Sequence, residues 1–480
     1  MMGLYLGGFT GMYSETALNV ALPQLSSAFG VELSVVQWLV VGYMLAIGIV
    51  LPFSGLLLKW FSAKKVSLFA LGVFFVGALV SGLSSTFPVV LFGRALQGVG
   101  TGLVLPLMFS MVVEVMPPHK IGAAMGVNAL VIMSATAIGP TLAGVLIGAL
   151  SWNWVFFSFA VTSAVGFVFV LKFQPSPYEL TRPRIDVLSV VTSTLGFGGV
   201  VLGVGMSSLF GWGSAPVLAA LVIGLAALVA YVRRQLSMEV PAINLRVFGI
   251  DGFRVGALAV TLNFSITLSA MYILPQFYQN AMLLAVSLTG LVMLPGGVVN
   301  AIVSMLSGRV YDRVGAKGPA IVGFSISIIA CVMLLFAGPD SPLAYVVACH
   351  IVLVIGVPLA MSPCQTHALA SLPRELSTDG STMLNTLQQV AGAIATAVAT
   401  YLVTAGSQAS ASGGSDATAA FAQGAHWGIV FSLVLAVAAL FLATRLKANA
   451  REDEPVVINA RGEGCKSGCA NESESAGARA

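Results

Sequence analysis

A chain of 480 residues that is 58% apolar and 8% charged cannot clothe itself in a water-soluble surface, where roughly a quarter of residues are usually charged. Its apolar residues come in blocks of about 20, the length that crosses ~30 Å of hydrocarbon as a helix, so a helical integral membrane protein is expected and barrel strands are not. The net charge of +4 reports orientation rather than nucleic-acid binding, because all 22 Lys and Arg except Arg94 fall on one side of the predicted membrane.

In chain order the spans are expected at 4–24 (helix 1), 37–58 (helix 2), 66–85 (helix 3), 88–111 (helix 4), 121–148 (helix 5), 152–173 (helix 6), 187–208 (helix 7), 215–233 (helix 8), 254–278 (helix 9), 286–307 (helix 10), 318–337 (helix 11), 341–364 (helix 12), 378–403 (helix 13) and 425–446 (helix 14). A missed or invented helix would send every later basic residue to the other side. The one-sided charge therefore supports fourteen spans, and the positive-inside rule places both termini in the cytoplasm of a cell membrane. Trp38, Trp60, Trp152, Trp154, Trp212 and Trp427 all fall at predicted helix ends, where an amphipathic indole belongs. No basic segment or small-residue cleavage site precedes helix 1, so it reads as a span and not as a removable signal.

The stretch from Ser54-Gly55 to Lys65 after helix 2 recurs as Ser307-Gly308 to Lys317 after helix 10. The repeat pairs helices 1–6 with helices 9–14 and predicts two six-helix pseudo-symmetric bundles: residues 1–173, a linker with an inserted helix pair over 174–253, and residues 254–447. A polar tail over 448–480 is expected to be disordered and cytoplasmic. Paired bundles of this kind hold a substrate site at their interface near the midplane and rock about it. The connections 174–186 and 234–252 read as flexible joints, and 404–424, rich in Ser, Ala and Gly, as one long, disordered outside loop. No cysteine lies outside, so no disulfide framework is expected, and the Cys465-x-x-x-Cys469 spacing has no His nearby to complete a metal site.

Several motifs stand in order along these helices. Helix 1 ends in Leu18-Asn-Val-Ala-Leu-Pro23, and helix 4 carries Arg94-Ala-Leu-Gln-Gly-Val-Gly100. Helix 5 carries Ile138-Gly-Pro-Thr-Leu-Ala-Gly144, followed by Ser151-Trp-Asn-Trp-Val-Phe156. Helix 13 carries Gly380-Ser-Thr-Met-Leu-Asn385 and Gln388-Gln389-Val-Ala-Gly392. Over about residues 10–445 the chain resembles the major facilitator superfamily, in its fourteen-helix drug:proton antiporter branch. The resemblance implies alternating access, multidrug efflux, proton coupling through the helix 4 motif, and export from the antiporter-like helix 5. Two departures stand out. The acid usually five residues before the Asn of the first motif is Ser14 here, and the acid is Glu15. A one-residue shift turns a side chain by ~100° about the helix, so Glu15 is expected to face a different neighbour. The cytoplasmic motif is nearly intact at Gly308-Arg-Val-Tyr-Asp312-Arg313, but after helix 2 its Asp and Arg are Lys59 and Trp60.

Of the 18 acidic residues only Glu15 lies deep in a span. A central carboxyl is costly and is tolerated mainly where it faces a cavity or a partner. Glu15 and Arg94 are therefore the expected proton-coupling pair. The alternatives are a protonated Glu15 hydrogen-bonded to a neighbouring helix, and an Arg94 that snorkels to the outer headgroups. The substrate pocket is expected among Tyr13, Asn19, Gln97 and Asn128 in the first half, and Asn263, Phe264, Tyr272, Gln276, Asn300, Asn385, Gln388 and Gln389 in the second. Each of these polar side chains also serves equally well as interhelical glue. Gly139, Pro140 and Gly144 are expected to kink and pack helix 5, Asp312 and Arg313 (with Gly308) to form a cytoplasmic latch, and Glu114 to replace the missing first-half acid. His350 is a candidate proton relay.

No P-loop, hydrolytic triad or metal cluster is present in the sequence, so an ion gradient is the expected energy source, with no cofactor, metal or nucleotide and no enzymatic activity. The expected partners are protons, small hydrophobic cationic or zwitterionic substrates and the lipid bilayer, acting on a monomer. Two rival readings stay open: a proton-coupled transporter of one metabolite, and a non-transporting receptor or scaffold on the same bundles.

Overall fold

Described by a computed structural model are residues 1–116, 121–174, 186–238, 241, 243–373, 376–446, 457–458 and 464–465. Among them are fourteen long helices: helix 1 Met2–Phe29, helix 2 Trp38–Trp60, helix 3 Ala63–Leu83, helix 4 Phe87–Val115, helix 5 Ile121–Ala149, helix 6 Asn153–Phe173, helix 7 Val187–Phe210, helix 8 Ala215–Ser237, helix 9 Asp251–Gln276, helix 10 Val286–Val314, helix 11 Lys317–Leu334, helix 12 Leu343–Ala370, helix 13 Ser377–Ser412 and helix 14 Ala417–Thr444. A two-residue strand pairing, Val457–Ile458 with Gly464–Cys465, adds nothing to the membrane fold.

Thirteen of the helices are long and apolar enough to cross a membrane. Helix 1 falls short because Glu15, Asn19 and many Gly, Ser and Thr residues dilute its apolar content. It is nevertheless buried almost throughout from Gly3 to Leu25, packed on helices 4, 5 and 6, so protein and not lipid surrounds its polar groups. The all-α, fourteen-helix architecture is the expected one.

Helices 1–6 pair as 1 with 5 and 6, 3 with 4 and 6, and 2 with 4. The same pairings recur with every number raised by eight: 9 with 13 and 14, 11 with 12 and 14, and 10 with 12. Helix 5 lies along helix 10 and helix 2 along helix 13, which joins the two halves. Helices 7 and 8 pack tightly on each other, and helix 7 lies against helices 2 and 13.

The start of helix 1 and the end of helix 14 share one face of the molecule, the terminal face; the opposite one is the far face. Hydrogen bonds that join the halves sit toward the far face. Gln276 donates Nε2 to the Asn19 carbonyl (2.9 Å), Gln279 to the Val20 carbonyl (3.0 Å), and Gln24 to Gln279 Oε1 (3.1 Å). Thr141 Oγ1 donates to the Gly290 carbonyl (2.9 Å). Gln279 lies in a π-helical turn, Phe277–Ala281, directly after helix 9 and its Pro275. Such turns re-aim side chains by inserting a residue into the helical ladder.

Several boundaries differ from expectation. Helix 13 runs on to Ser412 and helix 14 starts at Ala417, so the supposed long outside loop shrinks to Gly413–Asp416, with Asp416 capping the Ala419 amide. Alanines in 404–424 favour helix, and Gly406 and Gly424 let the two helices approach closely, which composition alone disguised as disorder. Trp427 consequently lies inside helix 14, against Gly406, and not at its end. Gly308, Asp312 and Arg313 belong to the last turns of helix 10 rather than to a loop. The connection after helix 8 is also partly folded. A 3-10 turn, Leu245–Gly249, buries Leu245 and Val247, and Ile243 and Leu245 pack with Phe197, Tyr231 and Met383. Cys331, Cys349 and Cys364 are buried free thiols. Residues 448–456 of the tail, Cys469, and the side chains of Glu114 and Lys59 lie outside the described residues.

Candidate transport site

The Arg94 motif places a cation inside the first bundle by way of its glycines. A Cβ on Gly98 would stand 2.6 Å from the Tyr43 carbonyl of helix 2, and one on Gly100 would stand 2.6 Å from the Ala70 carbonyl of helix 3. Only glycine allows helix 4 to sit this close to both. The approach turns Arg94 inward, where it is 0% exposed, so it does not snorkel.

The guanidinium is held by neutral groups. Nε donates to the Leu39 carbonyl (2.9 Å), one terminal nitrogen to Ser14 Oγ (2.5 Å) and Gln97 Oε1 (2.8 Å), and the other to the Ser14 carbonyl (3.4 Å). The Tyr43 ring covers it at 4.0 Å. Tyr43 is itself fixed, donating to the Gly11 carbonyl (2.8 Å) and hydrogen-bonded to Thr101 Oγ1 (2.7 Å). Ser14, which stands where the helix 1 motif usually has its acid, and not Glu15, is therefore the side chain beside the cation. The signal for Tyr43 was weak: one hydroxyl-bearing ring in the middle of an apolar helix.

Glu15 is 1% exposed, and neither carboxyl oxygen has a hydrogen-bond partner among the described residues. It forms no direct ion pair with Arg94, although the two lie close enough for their charges to interact. Its neighbour is the side chain of Gln389 on helix 13, in the other half. The one-residue offset between Ser14 and Glu15 thus separates two jobs. Ser14 faces the bundle interior and Glu15 faces the seam. Charge follows the same division: with Glu15 ionised the pair is neutral, and with Glu15 protonated an uncompensated cation remains in a low-dielectric interior, which is costly.

The predicted pocket residues scatter. Gln97 accepts from Arg94 and from Ser14 Oγ (3.2 Å), and donates to Ser81 Oγ (3.2 Å), so it braces the first bundle. Tyr13 is buried against Phe159 and bonded to Ser158 Oγ (2.9 Å). Asn128 donates to the Met108 carbonyl (3.3 Å), Asn263 to Val357 (3.2 Å) and Asn385 to Ser381 (2.9 Å). Asn19 and Gln276 belong to the far-face seam. Tyr272 and Gln388 are buried, and Phe264 packs beside Gly392. Asp312 and Arg313 are exposed on helix 10 and form no ion pair among the described residues. Gly139 abuts Thr16 of helix 1, and Gly144 crosses Gly290 of helix 10, where a Cβ on Gly144 would lie 2.8 Å from the Gly290 Cα.

Asn300 alone of the predicted pocket set lines the cavity that lies between the halves among the described residues. Thr136 and Pro140 of helix 5 form its first-half wall, and Thr267, Met271, Met293, Asn300, His350 and Leu353 are among its second-half residues.

Two pseudo-symmetric helical bundles with a cavity between them, a buried acid at their seam and a buried cation inside the first define a polytopic membrane transport protein. The fold is similar to that of peptide transporter POT (TM-score 0.67, 15% identity, covering 93% of this chain and 95% of that one). It is also similar to a bacterial homologue of the human lysosomal transporter Spinster (TM-score 0.65, 14% identity, 93% and 96% covered). The sequence profile of the Major Facilitator Superfamily matches residues 4–188 and 184–396. The lincomycin resistance protein LmrB of Listeria monocytogenes serovar 1/2a is 41% identical over 436 residues, 90% of this chain and 93% of that protein. LmrB of Bacillus subtilis is 40% identical (85% and 85% covered), and the multidrug export protein EmrB of Escherichia coli is 24% identical (84% and 79% covered). The chain belongs to the major facilitator superfamily, in its fourteen-helix drug:proton antiporter branch, and is a transporter rather than an enzyme.

Proposed function

We propose that this protein exports amphipathic, amine-bearing antibiotics of the lincomycin kind across the cell membrane in exchange for protons. The observation that carries the reading is Glu15, a buried carboxyl with no hydrogen bond to either oxygen, set where helix 1 meets Gln389 of helix 13 and within electrostatic reach of Arg94. The resistance and export names of its relatives support the direction and the substrate class.

In this reading residues 1–173 and 254–447 rock against each other, with helices 7 and 8 riding at the junction of helices 2 and 13, and both termini face the cytoplasm. Protonation of Glu15 leaves the buried Arg94 charge uncompensated; ionisation compensates it. The proton thereby changes the electrostatic balance of the seam, and the two arrangements of the bundles respond to it. No cofactor, metal or nucleotide takes part, and a monomer suffices.

Reconstituted into liposomes, the wild-type protein is expected to acidify or alkalinise the lumen when lincomycin is added to one side, according to insertion. Glu15→Gln is expected to abolish that pH change. Lincomycin-dependent proton movement that survives in Glu15→Gln would sink the assignment of the carrier, and no proton movement in wild type would sink antiport itself.

A further inference from the structure

We infer that the cavity between helices 5, 9, 10 and 12 is the subsite for a neutral, hydroxyl-bearing part of the substrate, read by His350; the inference rests on the transport function proposed above. His350 is 6% exposed and lines the cavity, and its Nδ1 is buried without a hydrogen-bond partner. A neutral imidazole holds one N–H and one lone pair, and leaving such groups unpaired in a buried site costs free energy. A ligand hydroxyl, which both donates and accepts, matches that deficit.

The rest of the lining points the same way. Thr136 and Thr267 already donate their hydroxyl protons to the Ile132 (3.0 Å) and Asn263 (2.9 Å) carbonyls of their own helices, so toward the cavity they offer only lone pairs. Asn300 accepts from Ser304 Oγ (3.2 Å), which leaves its amide N–H groups for a ligand. Among the described residues no lining side chain carries a carboxylate, an amine or a guanidinium, and the remaining wall is apolar, including Met271 and Met293. A cation therefore finds no counter-charge here, whereas hydroxyls on an alkyl or thioalkyl frame find donors, acceptors and soft contacts together.

The seat of the imidazole is built for it. A Cβ on Gly296 of helix 10 would come within 2.5 Å of the His350 ring, so glycine at that position leaves room for the ring against the backbone. Because Thr136 and Pro140 come from the other half, a ligand held by His350 spans both bundles and is positioned to sense their motion.

The test is equilibrium binding of two probes to the full-length protein in detergent, without a proton gradient: lincomycin, which carries hydroxyls, and tetraphenylphosphonium, which carries none. His350→Phe keeps an aromatic ring, slightly larger than the imidazole, and removes the polar atoms. It is expected to weaken lincomycin about tenfold, equivalent to about 1.4 kcal/mol, with tetraphenylphosphonium unchanged. Asn300→Leu, on a different helix, is expected to give the same selective loss, so the result does not hang on one variant folding well. Failure of wild type to bind lincomycin, equal lincomycin affinity in both variants, or equal loss of both probes would overturn the subsite. A wild-type protein that binds lincomycin with this selectivity yet moves no protons would instead remove antiport and leave the subsite standing.

Discussion

Arg94 is a buried cation whose immediate shell is uncharged, and that shell is specific to a planar fork. Its nitrogens reach acceptors on three helices at once, the Leu39 carbonyl, Ser14 and Gln97, while Tyr43 covers the face. A lysine carries the charge but cannot span these acceptors or stack in the same way. Arg94→Lys is accordingly expected to lower the lincomycin resistance conferred on a pump-deficient host by about tenfold or more, and to lower the thermal midpoint of the purified protein, since Ser14 and Gln97 are left with unmet hydrogen bonds. Retention of full resistance by Arg94→Lys would show that charge alone matters. At this scale the sequence was only half legible. That Glu15 and Arg94 are the ionisable groups deepest in the membrane could be read from hydropathy, but which face each presents could not. Membrane helices are apolar on most sides, so no amphipathic period marks the inward direction, and a residue step of ~100° decides between Arg94 and Gln389 as the neighbour.

Among the elements, helices 5 and 10 cross with little slack at Gly144 and Gly290. Gly144→Ala inserts a methyl group 2.8 Å from the facing Cα, and overpacking of that kind typically costs ~1–3 kcal/mol. The variant is expected to melt several degrees lower in detergent, and an unchanged midpoint would mean that the helices separate freely there. The inserted pair is held differently. Arg234 of helix 8 donates from Nε and a terminal nitrogen to the two oxygens of Asp186 (2.7 Å each), and Ser189 also donates to Asp186. The Arg234 hydrogen bonds hold the Asp186 carboxyl down at about 2. A carboxyl depressed below its unfolded value stabilises the fold above about pH 4, and that contribution disappears as the pH falls toward about 2. Because Arg234 is well exposed, solvent and salt screen the pair. The modest loss of thermal stability expected for Asp186→Asn at about pH 7 should shrink in high salt and vanish near pH 2. A deficit that persists unchanged at that acid pH would point to packing instead. Gln235, which accepts from the Ile243 amide, ties this end of helix 8 to the connection that leads into helix 9.

Across the whole molecule, the halves are joined toward the far face by amide side chains on helix 1, helix 9 and the π-turn that follows it. Each such bond contributes ~0.5–1.5 kcal/mol net, so removing all three is expected to move a two-state equilibrium by roughly tenfold or more. The double variant Gln276→Leu, Gln279→Leu should therefore populate a form opened at the far face. Spin labels at Ser26 and Met282 would report it as a longer distance component, and an unaltered distance distribution would rule out these glutamines as the fastening.

Length, hydropathy and the one-sided placement of basic residues are local properties, so the sequence by itself determined the class, the helix count, the internal repeat and the two buried ionisable groups. Where helix 13 ends, which polar residues brace a bundle and which line the cavity, and the choice of Ser14 rather than Glu15 as the Arg94 partner were decided by the tertiary structure alone. Those outcomes depend on the rotation and close approach of helices far apart in the chain, set by glycines such as Gly98, Gly100 and Gly290, whose partners come from other helices.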